Sequence, residues 1–141
     1  MTLKLSILTP ERRLIENETV QFVKLPTSEG EVEILPDHAP LVGSLETGVF
    51  SFVNIQGQAT TGVMTTGFFE VSGNRVVVSA EVLELEGEID VNRAKTAQKK
   101  AEDMLKESSL EQHQFEKYQL KLQRALIRQQ LANQNPSQID H

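Results

Sequence analysis

Arg75-Val76-Val77-Val78-Ser79-Ala80-Glu81-Val82-Leu83-Glu84-Leu85-Glu86-Gly87-Glu88-Ile89-Asp90-Val91-Asn92-Arg93-Ala94 is the stretch across which the hydrophobic period changes. Before Gly87 the apolar residues favour the two-residue repeat of a strand; after it they fall three and four apart, the repeat of a helix. The chain therefore reads as β followed by α, with the border near Gly87.

Moving towards the N-terminus from this border, period two persists back to Leu3. Leu3, Leu5 and Ile7 alternate with polar neighbours, Val20 and Phe22 repeat the pattern, and Val49 to Ile55 forms another apolar strand. Ile55-Gln56-Gly57-Gln58 and Ser72-Gly73-Asn74 read as hairpin turns, because Gly and Asn tolerate positive φ. Many short strands at even spacing predict a β-sandwich, or flattened barrel, over residues 1–87. The β-branched run Val76-Val77-Val78 suits a strand packed on both faces.

Moving towards the C-terminus, Asp90 is a natural N-cap, followed by Ala94, Ala97, Ala101 and Met104 at helical spacing. Ser108-Ser109 interrupts the run, and Ser109 with Gln112 fits a capping box that opens a second helix carrying Phe115, Tyr118, Leu122 and Ala125. An antiparallel two-helix hairpin is expected over 88–134, its first helix lined by alanines that permit close approach, and a disordered tail over 135–141. A second apolar row, Leu120, Ile127 and Leu131, is offset from the first, so something other than the first helix must cover one of them. A basic stripe of Lys117, Lys121, Arg124 and Arg128 runs along the same helix.

With 141 residues and no cysteine, the chain can hold one domain plus an appendage and has neither disulfides nor thiolate chemistry. Its three histidines are far apart, and no metal site is expected. The net charge of −6 is uneven: residues 1–88 carry 5 Lys/Arg against 13 Asp/Glu (−8), and residues 89–141 carry 9 against 7 (+2). An acidic body without a basic patch excludes nucleic acid as a partner. No Ser-His-Asp order, phosphate loop or ligand cluster supports an enzyme, and no catalytic residues are assigned. No apolar run reaches the roughly 20 residues of a membrane span.

One loop stands out within the β region: Gly30-Glu31-Val32-Glu33-Ile34-Leu35-Pro36-Asp37-His38-Ala39-Pro40-Leu41-Val42. Pro36 and Pro40 fix their own φ and push Leu35 and Ala39 away from helix, so His38 lies on a stiff segment. This loop, together with Ile89-Asp90-Val91-Asn92-Arg93-Ala94, resembles the two signature motifs of the epsilon subunit of F-type ATP synthases. The likeness runs from Leu5 to about Leu131. Glu33 and Asp37 depart from it, standing where Gly is usual; left-handed backbone at either would cost more than at Gly, and Glu33 is the harder case.

The resemblance implies a non-catalytic rotor subunit of the central stalk. Its sandwich would bind the gamma subunit and the c-subunit ring, coupling proton flow to ATP synthesis, with Glu29, Glu31 and His38 at the interface between c ring and stalk. Its helices would extend to the catalytic alpha and beta subunits and inhibit ATP hydrolysis through Lys117, Lys121, Arg124 and Arg128. In some bacterial members the folded hairpin binds regulatory ATP; the matching residues here are Glu84, Asp90, Arg93 and Ala94, with Lys100, Arg124 and Arg128 for phosphates. Otherwise no cofactor is expected. The implied location is the cytoplasmic face of a bacterial plasma membrane, held peripherally through the complex. On the residues alone, the alternative is a free-standing β-sandwich binding module with an oligomerising helical tail.

Overall fold

The computed structural model describes residues 2–107 and 109–133. Two compact units divide after Leu85. The expected tail over 135–141 and Ser108 lie outside the described residues.

The first unit contains nine strands: β1 (Leu3–Leu8), β2 (Arg13–Thr27), β3 (Gly30–Ile34), β4 (Leu41–Leu45), β5 (Gly48–Asn54), β6 (Ala59–Met64), β7 (Gly67–Ser72), β8 (Arg75–Ala80) and β9 (Leu83–Leu85). They form one sheet folded on itself, in the order β1-β8-β7-β4-β2-β5-β6-β9, with β3 also on β2 and β1 pairing back to β2. The 15-residue β2 makes this possible. Its first half pairs with β1 and its second half with β5 and β3, so one strand serves both layers. Next to β1 it bulges at Asn17, whose φ of 50° is left-handed and whose N–H donates to Ser6 Oγ at 2.9 Å.

Alternation decides what is inside. Leu3, Leu5 and Ile7 of β1, Val23 and Leu25 of β2, Phe50 of β5 and Val76 and Val78 of β8 are buried in one core cluster. Each such side chain contributes about 1.5–3 kcal/mol of transfer free energy, which fixes the register of every strand that carries one. The run at Val76–Val78 corrects the expectation of burial on both faces. Val77 points outward and is 41% exposed while its neighbours are fully buried. The strand runs antiparallel to β7 and parallel to β1, and its layer is covered on one face only, unlike an all-parallel sheet buried on both.

Both predicted hairpins form. At β7–β8 the two loop residues Gly73 and Asn74 have φ of 57° and 59°, the left-handed pair a two-residue turn demands. At β5–β6 the Asn54 side-chain oxygen accepts from the N–H of Gln56 and of Gln58 at 3.0 and 2.9 Å.

The second unit starts with a 3₁₀ turn at Glu86–Glu88, then α1 (Val91–Leu105) and α2 (Gln112–Asn133). Asp90 caps α1, its carboxylate accepting from Arg93 N–H at 3.1 Å. Gln98 bonds Gln129, whereas Ala101, further along α1, shares a cleft with the earlier residue Tyr118; the helices are therefore antiparallel. Ala94, Ala101 and Ala125 are buried on this unit's helices, as the alanine spacing predicts. The start of α2 differs from the expected Ser109–Gln112 box. Glu111 is the residue whose carbonyl opens the helix, and the Gln114 side chain reaches back to its N–H at 3.4 Å. The second apolar row is not uniform either: Leu131 is 3% exposed but Leu120 is 42% exposed.

Candidate functional site

The loop after β3 is held by bonds that its sequence does not announce. His38 N–H donates to the Leu35 carbonyl at 3.2 Å and closes a turn over Pro36 and Asp37. Asp37 has a φ of 66°, so left-handed geometry occurs at this position. Its N–H donates to Asn74 Oδ1 at 2.6 Å, and Asn74 Nδ2 donates to Asp37 Oδ1 at 3.2 Å. Glu33, by contrast, lies in extended strand opposite Lys24 and meets no left-handed requirement. His38 is half-buried, with Nδ1 at 2.7 Å from the Ala39 carbonyl, an acceptor that calls for the proton on Nδ1.

Glu29 occupies the turn between β2 and β3, its N–H donating to Thr27 Oγ1 at 3.2 Å, and Glu31 is exposed on β3 opposite Pro26. Among the described residues no hydrogen bond or ion pair joins Glu29, Glu31 and His38. They form an acidic edge beside a stiff loop, not a catalytic constellation.

Around the sheet from this edge, the outer face of β4, β7 and β8 carries exposed apolar side chains among polar ones. The register places Val42 beside Glu70, Phe68 between Ser44 and Ser79, and Val77 beside Glu70. Val42 is 73% and Phe68 67% exposed, whereas Phe69 and Val71 on the opposite face are buried. Leu8, Pro10, Leu45, Phe68 and Ala80 line a groove of about 660 Å³ at one end of this face. Sequence reasoning missed this surface, although Phe68-Phe69 carries the signal: adjacent aromatics on a strand must face opposite ways.

In the helical unit the cations converge. Lys100 of α1 and Lys121, Arg124 and Arg128 of α2 line a cleft of about 330 Å³, together with Tyr118 and the alanines Ala97 and Ala101. Alanines are what bring the two helices close enough for cations from both to share one space. Arg124 Nε is buried without a hydrogen-bond partner among the described residues. The Lys121 and Lys117 ammoniums lie 5.4 and 5.9 Å from the Tyr118 ring centroid, a cation–π arrangement. The basic stripe is thus divided: Lys121, Arg124 and Arg128 turn to the cleft, while Lys117 stays outside its lining.

The remaining candidates, Glu84, Asp90, Arg93 and Ala94, are not among the residues that line this cleft. Arg93 and Lys100 are seven residues apart, on the same side of α1 and about 10 Å from one another. Ala94 is buried in its helix and Asp90 is engaged as the cap. Glu84 belongs to β9 of the first unit, opposite Val63. No group of His, Cys, Asp or Glu able to hold a metal occurs among the described residues. Nor is any described helix long and apolar enough to cross a membrane.

Comparison with known proteins agrees with this division. Residues 2–86 match the family model of the ATP synthase delta/epsilon chain β-sandwich domain, and residues 88–133 that of its long α-helix domain. The ATP synthase epsilon chain of Trichlorobacter lovleyi is 40% identical over 92% of this chain and 93% of its own length. That of Carboxydothermus hydrogenoformans is 45% identical over 73% and 75%. Among solved structures, a chain of the Euglena gracilis mitochondrial ATP synthase superposes with a TM-score of 0.79 at 20% identity, covering 95% of this chain and 82% of that one. A chain from the central stalk and c ring of the Tetrahymena thermophila enzyme gives 0.66 at 11% identity, covering 94% and 97%; at such identities the likeness is one of fold. With both units matched in order and nearly end to end, this chain belongs to the delta/epsilon family of ATP synthase subunits, and its relatives within it are epsilon chains.

Proposed function

We propose that this chain is a non-catalytic rotor subunit of the ATP synthase central stalk, at the cytoplasmic face of a bacterial plasma membrane. It couples proton flow through the c ring to ATP synthesis and restrains ATP hydrolysis through its helices. The observation that carries this reading is the separation of chemistries. Apolar and acidic docking features sit on the sandwich, and a cationic cleft sits in the hairpin.

On the sandwich, the exposed Val42 and Phe68 and the groove beside them offer an apolar face to the gamma subunit. The carboxylates of Glu29 and Glu31, beside the His38 loop, offer charge complementarity to basic loops of the c ring. The −8 body suits such a partner.

In the hairpin, Lys100, Lys121, Arg124 and Arg128 crowd like charges around one space, an arrangement that an anion relieves. ATP is the anion we assign, its phosphates held by these residues and its binding favouring the closed hairpin. There is no glycine-rich cradle, so the affinity is modest. When the hairpin opens, the same cations with Lys117 become available to the catalytic alpha and beta subunits. As one continuous helix, residues 90–133 span roughly 65 Å, enough to leave the foot of the stalk.

Two measurements test the proposal. ATPase activity of the reconstituted catalytic head is compared with the full chain and with a chain ending at Glu88; equal hydrolysis in both removes the inhibitory role. Calorimetric titration of the full chain with ATP, and of Arg124→Ala, addresses the cleft; no heat at millimolar ATP rejects it.

A further inference from the structure

Asp37 is the conformational weak point of the docking loop. Pro36 and Pro40 have fixed φ, and Ala39, preceding a proline, is held to extended geometry. His38 is held by its N–H to Leu35 and its ring to Ala39. Asp37 alone must occupy the left-handed region, at φ 66°, a conformation that a residue with a Cβ adopts at a cost.

What holds it there comes from elsewhere in the chain. Asn74, in the β7–β8 turn, accepts from Asp37 N–H at 2.6 Å and donates to Asp37 Oδ1 at 3.2 Å, so backbone and side chain of Asp37 are both gripped. Asn74 is itself anchored. Its φ of 59° belongs to the two-residue turn, and its carbonyl accepts from Lys4 N–H at 2.9 Å, which ties the turn to β1. A frame of three strands thus ends in one amide that grips one loop residue.

We infer that Asn74 is a positioning residue for rotor docking: it clamps Asp37 in the left-handed conformation and so presents His38 and the Pro36–Pro40 segment to the ring in a single shape. The inference rests on the proposal that this loop docks. The clamp supplies at an aspartate the left-handed geometry that glycine would reach without help.

The test uses the full chain and ATP synthase depleted of this subunit. Asn74→Gly keeps the positive φ of the turn and removes both bonds. The exchanged pair Asp37→Asn with Asn74→Asp keeps an acceptor for the residue-37 N–H and a donor–acceptor pair between the side chains. Amide exchange at residues 37 and 38 should accelerate about tenfold in Asn74→Gly, and affinity for the depleted complex should fall roughly five- to tenfold, the effect of losing one or two modest hydrogen bonds. The exchanged pair should return both to within about twofold of the original chain. Undiminished affinity in Asn74→Gly, or no recovery in the exchanged pair, overturns the inference, as does faster exchange spread along β7 and β8. Glu31→Lys separates the two ideas: if it weakens docking and Asn74→Gly does not, only the clamp falls, and if neither does, the docking proposal falls with it.

Discussion

Gln129 reaches across the helical unit and donates from Nε2 to the side-chain oxygen of Gln98 at 2.7 Å, and Gln98 passes its own amide hydrogen to Glu102 at 2.7 Å. This half-buried polar chain lies between helices whose buried residues on α1 are only Ala94 and Ala101. A seam of alanines and amides is a weak seam. Alanine buries little area, and a hydrogen bond nets only about 1 kcal/mol once water is counted.

Replacing Gln98 and Gln129 together with Leu should tighten the hairpin. The melting temperature followed by helical circular dichroism should rise by several degrees, because apolar burial replaces an exchange of hydrogen bonds. If opening of the hairpin restrains hydrolysis, the same double variant should inhibit ATPase less. A lower melting temperature would show that the amides stabilise the seam more than leucines can.

Gly67 has no room for a side chain. A Cβ there would overlap the Ser79 carbonyl and lie 2.9 Å from Ala80 Cα, at the point where β7 and β8 pair. Gly67→Ala should therefore cost about 1–3 kcal/mol, read as a lower urea midpoint. Gly87→Ala, with nothing within 4 Å of the added atom, serves as the neutral control. Equal midpoints for the two would show that β7 and β8 can move apart at no cost.

Asp90 has one observed role, as the cap, and one that the family resemblance implies, as an ATP contact; two substitutions separate them. As N-cap its loss in Asp90→Ala should cost about 0.5–2 kcal/mol, whereas Asp90→Ser, another good cap, should restore most of that. If Asp90 also contacts ATP, the Ser variant should recover stability without recovering the heat of ATP titration. Recovery of both would reduce Asp90 to a cap.

Phe68, two-thirds exposed, contributes little to the core. Phe68→Ser should leave the urea midpoint nearly unchanged and weaken association with the gamma subunit by at least about tenfold, the effect expected of an aromatic anchor. Unaltered association in a pull-down titration would remove this face from the docking surface.

The sequence was most informative where the signal is local. Period two, the change near Gly87, the Asp90 cap and the Gly73-Asn74 turn each depend on residues a few positions apart, and each appears in the structure. The α2 start was misplaced because Ser109 and Glu111 both fit a three-residue capping spacing, and only the chain's path selects Glu111. Val77 was misread because a β-branched run looks the same whether one face or both are covered. In the site, the residues of the cationic stripe were visible, but the sharing of one cleft by Lys100 and three of them depends on how the helices pack. The role of Asn74 was hidden for the same reason: its partner lies 37 positions away.

The closure of the strand ring also sets an order of events during synthesis. β1 emerges first, yet its parallel partner β8 is the eighth strand made, so Leu3, Leu5 and Ile7 wait for Val76 and Val78 before their core is complete. Contacts so distant in sequence are slow to form, and until then the nascent sandwich exposes unpaired edges and apolar side chains. The helices that follow pair with each other locally and need no such wait. Chaperone demand should therefore concentrate on the first eighty residues, and should fall once Ala80 has cleared the ribosome; a stalled chain released before Arg75 should remain protease-sensitive throughout.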